Sequence, residues 1–457
     1  MLKTELEHCA AEAVSCIILP AQKSKGNPVN LIQTDPTKVG SVPNRQDRQL
    51  RKKLLLLLLS VPFCIAMFIA LDRFHSARVQ RSALQVVGKG LGCFTVHDPT
   101  RVFALQPNCS CFRAWGGERY PLTTNSLGFR DKTITEVPPS DAKPRVLALG
   151  DSFTEGMVPW DDGFVARIAA NFPQYDFLDG GVGGYSPSNY LNTARMALSE
   201  GVDFDEVIVF IDISDAQDEA AFYRDVDASG AVAIPERHYF YRTWYSKLRM
   251  AVSERYLLTN YIFEFLERLL VRFGFYHLDR GNNGNEFDYE KSAWTYRQVS
   301  ETNPFETGYA PLGLEGGIAK EKAKMTLLWQ ELAERNIPIS VVVYPYPAQL
   351  IHDTVDSRQV RIWREWCEGR CKRFVSVFPA FFAAKDQCSR LEPGCWYLKY
   401  FIFGDIHYSA AGNALVADVV SKNVSATPVV KHPLLTSGAY SENRPTEHKS
   451  GHLHGKG

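Results

Sequence analysis

Apolar strand patterns and amphipathic helix patterns alternate along the chain from residue 145 onward. Short, nearly continuous apolar runs predict strands at 145–149, 174–178, 206–211, 338–344 and 374–378. Apolar residues at helical spacing predict helices at 162–171, 187–200, 318–335, 358–371 and 409–422. Because such strands between helices are typical of a parallel sheet covered on both faces, the pattern predicts a three-layer α/β/α sandwich. Sheets of this type bind ligands beyond the carboxyl ends of their strands.

A different pattern precedes this region: residues 54–71, LLLLLLSVPFCIAMFIAL, contain no charged side chain. As a helix, this run is roughly 27 Å long, which is enough to cross the hydrocarbon core of a bilayer. A buried helix of a soluble core is disfavoured, because six consecutive leucines leave no polar face. A cleaved signal peptide is the closer alternative and would require a translation start near residue 45. We expect an uncleaved transmembrane helix.

Basic residues indicate the orientation of this predicted membrane helix. Five of them lie just before the apolar run: Arg45, Arg48, Arg51, Lys52 and Lys53. Basic flanks stay on the cytoplasmic side, so the N-terminus is expected in the cytoplasm and the bulk of the chain outside it, in the periplasm or the extracellular space.

The regions around the alternating pattern complete the predicted organisation. Residues 1–44 are polar and are expected to form a disordered cytoplasmic tail, and 72–140 a membrane-proximal segment. The main domain is expected at 145–422 with an insertion at 220–316, and residues 424–457 as a second disordered tail. The insertion contains an amphipathic stretch around Leu258 to Leu270, for which we expect packing on the main domain; a lid or a membrane-surface helix is the alternative.

Composition excludes several kinds of partner. The chain has 51 basic and 51 acidic residues, so no overall positive field favours nucleic acid. We find neither the Cys/His spacing of structural zinc nor a glycine-rich phosphate loop, and we expect no metal and no cofactor.

The ten cysteines are compatible with an oxidising compartment. Cys388 and Cys395 flank a turn-like Glu-Pro-Gly and could form a disulfide, and Cys367 and Cys371 lie one helical turn apart. Cys109 and Cys111 are too close to each other for an ordinary disulfide. An odd number of cysteines follows the apolar run, so at least one of them is left unpaired within the chain.

The first predicted strand of the main domain ends abruptly at Gly150-Asp151-Ser152. These are turn and helix-capping residues, so an ordinary turn is one interpretation. The other interpretation is that Ser152 is a nucleophile presented at a strand-to-helix turn. A serine hydroxyl needs a base to remove its proton and a carboxylate to orient that base. His407, just before the last predicted helix, and Asp405, two residues earlier, are the candidates.

Two further strand ends carry residues suited to stabilising a negative charge. The second strand is followed by the glycine-rich stretch 179–186, in which a backbone N–H could point into a crowded site. The third strand is followed by Asp212-Ile213-Ser214-Asp215, for which a solvated loop is an equally good interpretation without the other motifs.

Together these motifs resemble the SGNH family, also called GDSL-type hydrolases, over roughly residues 145–217 and 338–422. The resemblance implies a flavodoxin-like α/β/α fold and a catalytic triad of Ser152, Asp405 and His407. It also implies an oxyanion hole built from the backbone N–H groups of Ser152 and Gly184. The family's third motif is normally Gly-x-Asn-Asp, and its asparagine is a further donor; here Ser214 stands at the asparagine's position and Asp212 at the glycine's. Either Ser214 replaces the amide, another residue reaches in, or the enzyme is slow.

The resemblance implies a serine esterase that works by two-step acyl transfer through Ser152, and the predicted transmembrane helix implies that this esterase is anchored in a membrane. Its expected substrate is an acyl ester, and the expected location suggests an O-acylated polysaccharide of the cell envelope. Two alternatives stay open. Transfer of the acyl group to a sugar hydroxyl would make the protein an O-acyltransferase. Loss of catalysis would make it a glycan-binding or scaffold module.

Overall fold

The computed structural model describes residues 45–86, 93–115, 118–226, 232–233, 256–272, 289–296, 309–390 and 392–431. The predicted tails at 1–44 and beyond residue 431, and most of the predicted insertion, lie outside these ranges. The chain divides into two compact units, Met1–Ala66 and Met67–Gly457. In the first unit the structure describes the beginning of the helix Arg45–Val86.

That first helix, α1, contains the predicted membrane segment. Residues Gln49–Arg78 within it are long and apolar enough to cross a membrane, and their most apolar window is entirely exposed. Leucines on the surface of a helix need an apolar environment other than the protein's own core. The chain therefore has one helix suited to a membrane span within the described residues.

The second unit is built on a twisted eight-stranded sheet. The strands β1 and β2 form a separate two-stranded ribbon, as do β9 and β10, and the other described strands form the large sheet. Their bounds are β1 Phe94–Asp98, β2 Val102–Leu105, β3 Ser110–Trp115, β4 Glu118–Thr124, β5 Arg130–Asp131, β6 Arg145–Leu149, β7 Asp176–Asp179, β8 Glu206–Ile211, β9 Arg224–Asp225, β10 Val232–Ala233, β11 Ile339–Val343 and β12 Cys371–Ser376. The order across the large sheet is β12-β11-β8-β6-β7-β5-β4-β3. The pairs from β12 to β7 are parallel, and the remaining pairs are antiparallel. Counted along the chain, the parallel part has the doubly wound order 2-1-3-4-5, in agreement with the predicted parallel sheet.

Helices cover both faces of this sheet. Those that follow α1 are α2 Ser152–Glu155, α3 Phe164–Asn171, α4 Pro187–Ser199, α5 Asp215–Gln217, α6 Leu257–Arg272, α7 Tyr289–Ser292, α8 Gly313–Ala333, α9 Pro347–His352, α10 Arg358–Cys367, α11 Phe378–Ser389, α12 Cys395–Tyr400 and α13 Ala410–Ala426. One apolar core joins the sheet to α3 and α13, and a second core joins the opposite face to α4, α8 and α10. The three-layer α/β/α prediction is thus confirmed.

The strand and helix predictions hold in type because the underlying patterns are strong, but the helix predicted at 358–371 ends at Cys367 and the strand predicted at 374–378 spans Cys371–Ser376. All five residues of β6 and all six of β8 are buried, as continuous apolar runs in a covered sheet should be. The last helix extends to Ala426, so it includes the first residues of the stretch that the sequence suggested to be a tail.

The sheet begins earlier in the chain than residue 145. Strands β3, β4 and β5 lie within the segment 72–140 and extend the parallel strands by antiparallel pairing. They carry mixed polar and apolar residues, and β4 contains Pro121, so no periodic signal marks them.

Three disulfides occur in the described residues: Cys93–Cys109, Cys367–Cys371 and Cys388–Cys395. Two of them are the pairs that the sequence suggested. Cys109 pairs with Cys93, and within the described ranges Cys64 and Cys111 are unpaired.

Candidate active site

The ends of four parallel strands bring the sequence motifs to one edge of the sheet. Ser152 follows β6, the glycine-rich loop follows β7, Ser214 follows β8, and Tyr344 follows β11. The strands β6 and β8 flank the point at which the strand order reverses, where doubly wound sheets form their ligand crevice. The topology therefore concentrates the candidate residues in one crevice.

Ser152 is the first residue of the short helix α2, and its neighbour Asp151 fixes the turn. The Asp151 carboxylate caps the helix by accepting from the Phe153 amide at 2.9 Å. The hydroxyl of Tyr344, at the end of a neighbouring strand, donates to the same carboxylate at 3.1 Å. These contacts hold Ser152 at the helix N-terminus, where the helix dipole favours a developing negative charge.

His407 reaches Ser152 across 255 positions of sequence: its Nε2 lies 2.7 Å from the serine Oγ. The other ring nitrogen, Nδ1, contacts Oδ1 of Asp405. That carboxylate oxygen also accepts from the His407 backbone amide at 3.0 Å. Both His407 and Asp405 are buried. The structure thus unites the three predicted triad residues in the order carboxylate, imidazole, hydroxyl.

A compact loop holds the imidazole in place. The Tyr397 hydroxyl lies 3.0 Å from the Gly404 amide and 3.1 Å from the Asp405 amide, and it donates to the Asp405 carbonyl at 3.0 Å. The Phe153 ring packs against the His407 ring, with 4.7 Å between their centroids. Phe153 therefore links the nucleophile's helix directly to the base.

The glycine-rich loop after β7 packs tightly against α2. A Cβ at Gly181 would lie 2.4 Å from the Glu155 nitrogen, so only glycine allows this approach. A Cβ at Gly183 would lie 3.5 Å from that of Ser152, which places the loop beside the nucleophile. Gly184 adopts a φ of +83°, in the region that favours glycine. Within the described part of the chain, the backbone amides of Ser152 and Gly184 donate to no protein acceptor.

Glu155 is the residue at this site that sequence reasoning missed. Its side chain is fully buried, its carboxylate is ion-paired with Arg113, and it accepts from the Gly183 amide at 2.7 Å. A buried carboxylate needs such partners, because charge without them is strongly disfavoured in the interior. Glu155 thereby fixes the backbone N–H of Gly183, the residue before Gly184. An acid three residues after the candidate nucleophile was the only signal in the sequence.

Ser214 lies at the same sheet edge, but its hydroxyl contacts two carboxyl groups. It lies 3.2 Å from Oδ2 of Asp212 and 3.5 Å from Oδ2 of Asp218. Tyr346 donates to the same Asp212 oxygen at 2.8 Å. In this arrangement the Ser214 proton faces Asp212, whereas the resemblance implied a donor directed at an oxyanion.

The acids beneath the site carry less negative charge than their number indicates. Burial raises the pKa of Asp212 well above its usual value, and a hydrogen bond with the neighbouring Asp151 raises it further. Burial, with Asp212 nearby, also raises the pKa of Asp215. The Asp212 carboxyl is therefore expected to keep its proton to a higher pH than an exposed aspartate would.

Fold and site together define a doubly wound α/β protein with a serine–histidine–aspartate arrangement at its switch point. No protein-family model matches the sequence, and no curated protein does.

Several solved structures are similar at low identity. One is a member of the lipolytic G-D-S-L family from Veillonella parvula DSM 2008, with 12% identity over 62% of this chain and 98% of that chain and a TM-score of 0.32. A second is a catalytic mutant of an acetylxylan esterase from Geobacillus stearothermophilus, with 12% identity over 65% of this chain and 100% of that one and a TM-score of 0.31. A third is an α/β hydrolase from the metagenome of Lake Arreo, Spain, with 12% identity over 64% of this chain and 99% of that one and a TM-score of 0.32.

Proposed function

We propose that this protein is a serine esterase of the SGNH type, with Ser152 as nucleophile, His407 as general base and Asp405 as its orienting carboxylate. The observation that carries the proposal is the 2.7 Å contact between His407 Nε2 and Ser152 Oγ, with Asp405 on the other ring nitrogen. A general base must lie within hydrogen-bond reach of the proton it removes, and this one does.

The chemistry proceeds by acyl transfer in two steps. His407 takes the Ser152 proton as Oγ bonds to the ester carbonyl carbon, and the carbonyl oxygen becomes an oxyanion. The amides of Ser152 and Gly184 donate to that oxyanion. When the tetrahedral intermediate collapses, the ester C–O bond breaks and the imidazolium gives its proton to the departing alcohol. His407 then takes a proton from water as the water oxygen bonds to the acyl carbon. The bond from that carbon to Ser152 Oγ breaks, the carboxylic acid leaves, and the imidazolium returns its proton to Oγ.

The direct test uses the purified full chain in detergent with an activated acetyl ester. Ser152→Ala removes the nucleophile and should lower kcat/KM by at least about 10³-fold. Ser409→Ala is a suitable control, because the Ser409 hydroxyl caps α13 by accepting from the Gly412 amide and donates to the Lys399 carbonyl, and it is not one of the three proposed triad residues. Equal rates in the Ser152 variant and the unaltered protein would refute the esterase proposal and favour a binding or scaffold role. A serine-directed phosphonate should modify Ser152, and modification only at other serines would count equally against the mechanism.

We also propose that the helix at 54–71 anchors the enzyme in the cytoplasmic membrane, with the active site outside the cytoplasm. The basic residues ahead of this run support that orientation. In that location the accessible acyl esters include O-acetyl groups of envelope polysaccharides, which we propose as the substrate class. An alkaline phosphatase fusion after residue 90 should be active. A stable but inactive fusion would indicate the opposite orientation in the membrane. Acetate release from O-acetylated envelope polysaccharide tests the proposed substrate class. Acetyl esterase activity on a small ester without such release would refute polysaccharide as the substrate.

A further inference from the structure

The helix α6, Leu257–Arg272, exposes a broad apolar face. Tyr261, Phe265 and Leu269 are spaced four residues apart, so they line one side of the helix, and Tyr261 and Phe265 are 61% and 59% exposed. Ile262 and Leu266 are exposed beside them. A contiguous apolar surface of this kind marks an interaction site in a folded protein.

The N-terminus of α6 is bonded to the residues that directly follow the predicted membrane segment. The Asp72 carboxylate accepts from the amides of Leu258 at 2.9 Å and Thr259 at 2.8 Å, and the Ser76 hydroxyl accepts from the Leu257 amide at 2.8 Å. Asp72 and Ser76 are buried by these contacts. Asp72 is the residue after Leu71, where the apolar run ends.

The other half of α6 contacts the loop that carries Asp405 and the segment just before α12. The Arg268 guanidinium lies 4.2 Å from the centre of the Phe403 ring, and Arg272 is 2.5 Å from the Glu392 carboxylate. Phe403 is two residues before Asp405. The helix is therefore held at both ends while its apolar face stays exposed.

The position of these contacts along the chain indicates which environment covers the apolar face. If residues 54–71 fill the core of a bilayer, Asp72 lies at its surface, and a helix that starts on Asp72 starts there too. We propose that α6 lies in the membrane interface, with its apolar face inserted at the boundary between lipid headgroups and acyl chains. Amphipathic helices with aromatic and aliphatic residues on one side and arginine beside them bind bilayer surfaces in this way. The inference rests on the proposed membrane anchor and would hold the loop of Asp405 close to the bilayer.

The test places the full chain in vesicles of phosphatidylcholine and phosphatidylglycerol that contain a photoactivatable carbene reagent confined to the acyl region. Peptide mapping by mass spectrometry then reads the label on 54–71, on α6 and on Phe112, an exposed aromatic residue on β3 that serves as the control. We expect label on the anchor and on α6 several-fold above that on Phe112. Label on the anchor with α6 at the level of Phe112 would overturn the inference and leave the anchor standing. Absence of label from both would overturn the anchor as well.

A double variant, Ile262→Glu with Phe265→Glu, sharpens the result. Both positions are exposed, so the fold and the hydrolysis of a soluble ester should be retained. Label on α6 should fall to the level of Phe112 while label on 54–71 is unchanged. Label on α6 that persists in this variant would refute insertion of the apolar face. A doubled particle mass together with an unlabelled α6 would instead assign the face to a second copy of the chain.

Discussion

Replacing Glu155 with glutamine tests how the oxyanion loop is held. Glutamine keeps the shape of the side chain, but it removes the charge that pairs with Arg113 and offers one acceptor oxygen where the carboxylate has two. One carboxylate oxygen accepts from Arg113, and the other accepts from the Gly183 amide. The single glutamine oxygen can accept from only one of these donors. We expect it to face Arg113, the charged donor, which leaves the Gly183 amide without an acceptor and free to turn.

The structure sets the size of both effects. Breaking a buried ion pair by removing one partner costs about 3–5 kcal/mol, and the lower end applies here because the Arg113 side chain remains 18% exposed. Displacing one backbone donor of an oxyanion hole lowers kcat by about 10²- to 10³-fold. We therefore expect Glu155→Gln to lose about 3 kcal/mol of unfolding free energy and at least 10²-fold in kcat. KM should change little, because the donor acts mainly in the transition state.

Urea unfolding and steady-state hydrolysis of an acetyl ester measure the two quantities, and Glu206→Gln is the matched control. Glu206 is also fully buried and paired with cations, Lys372 and Arg373, but it begins β8 and so lies at the opposite edge of the sheet. This variant should lose comparable stability and keep its kcat. If Glu155→Gln kept its kcat as well, the positioning role would be wrong and Glu155 would be purely structural. Glu155→Asp retains the charge, so it should recover more stability than rate.

Two further predictions concern carboxylates with different tasks. Asp405→Asn should lower kcat by up to about 10⁴-fold with an intact fold, because the imidazole loses the partner that sets its tautomer; an unchanged kcat would remove Asp405 from the triad. Burial raises the pKa of Asp179 to about 8 from 3.8, so the folded state holds a proton that the unfolded state releases. Stability should therefore fall as pH rises through this window, by up to about 1.4 kcal/mol per pH unit, and Asp179→Asn should flatten that slope in urea unfolding measured from about pH 5 to 7.

The sequence predicts those parts of the fold that depend on repeated patterns. The strands β6 and β8 are continuous apolar runs because both faces are covered, and the bounds expected for them match the structure. The antiparallel strands β3 and β4 have no such signal, because their residues alternate irregularly and their pairing with the sheet depends on contacts made elsewhere in the chain.

The same distinction applies to the site. Ser152, Asp405 and His407 could be named from short local motifs, and the structure brings them together. Glu155 could not, because its role depends on Arg113, 42 positions earlier, and on a loop 28 positions later. For Ser214 the local motif was misleading, because its position suggested an oxyanion donor. In the structure its hydroxyl lies beside the Asp212 carboxyl, and only the fold shows that Asp212 is located beneath the site.

In the proposed mechanism, Ser214 stands where a side-chain amide would donate to the oxyanion, so the oxyanion is stabilised by backbone amides instead. The acids nearby do not oppose it strongly, since burial raises the pKa of Asp212 and a hydrogen bond joins it to Asp151. Two amides then remain as donors, those of Ser152 and Gly184. The first is fixed by the capped turn of α2, but the second belongs to a flexible residue type and depends on its anchor. A hole with only two donors is more sensitive to the loss of either, and this is why the rate should respond so strongly to Glu155, a residue that need not touch the substrate.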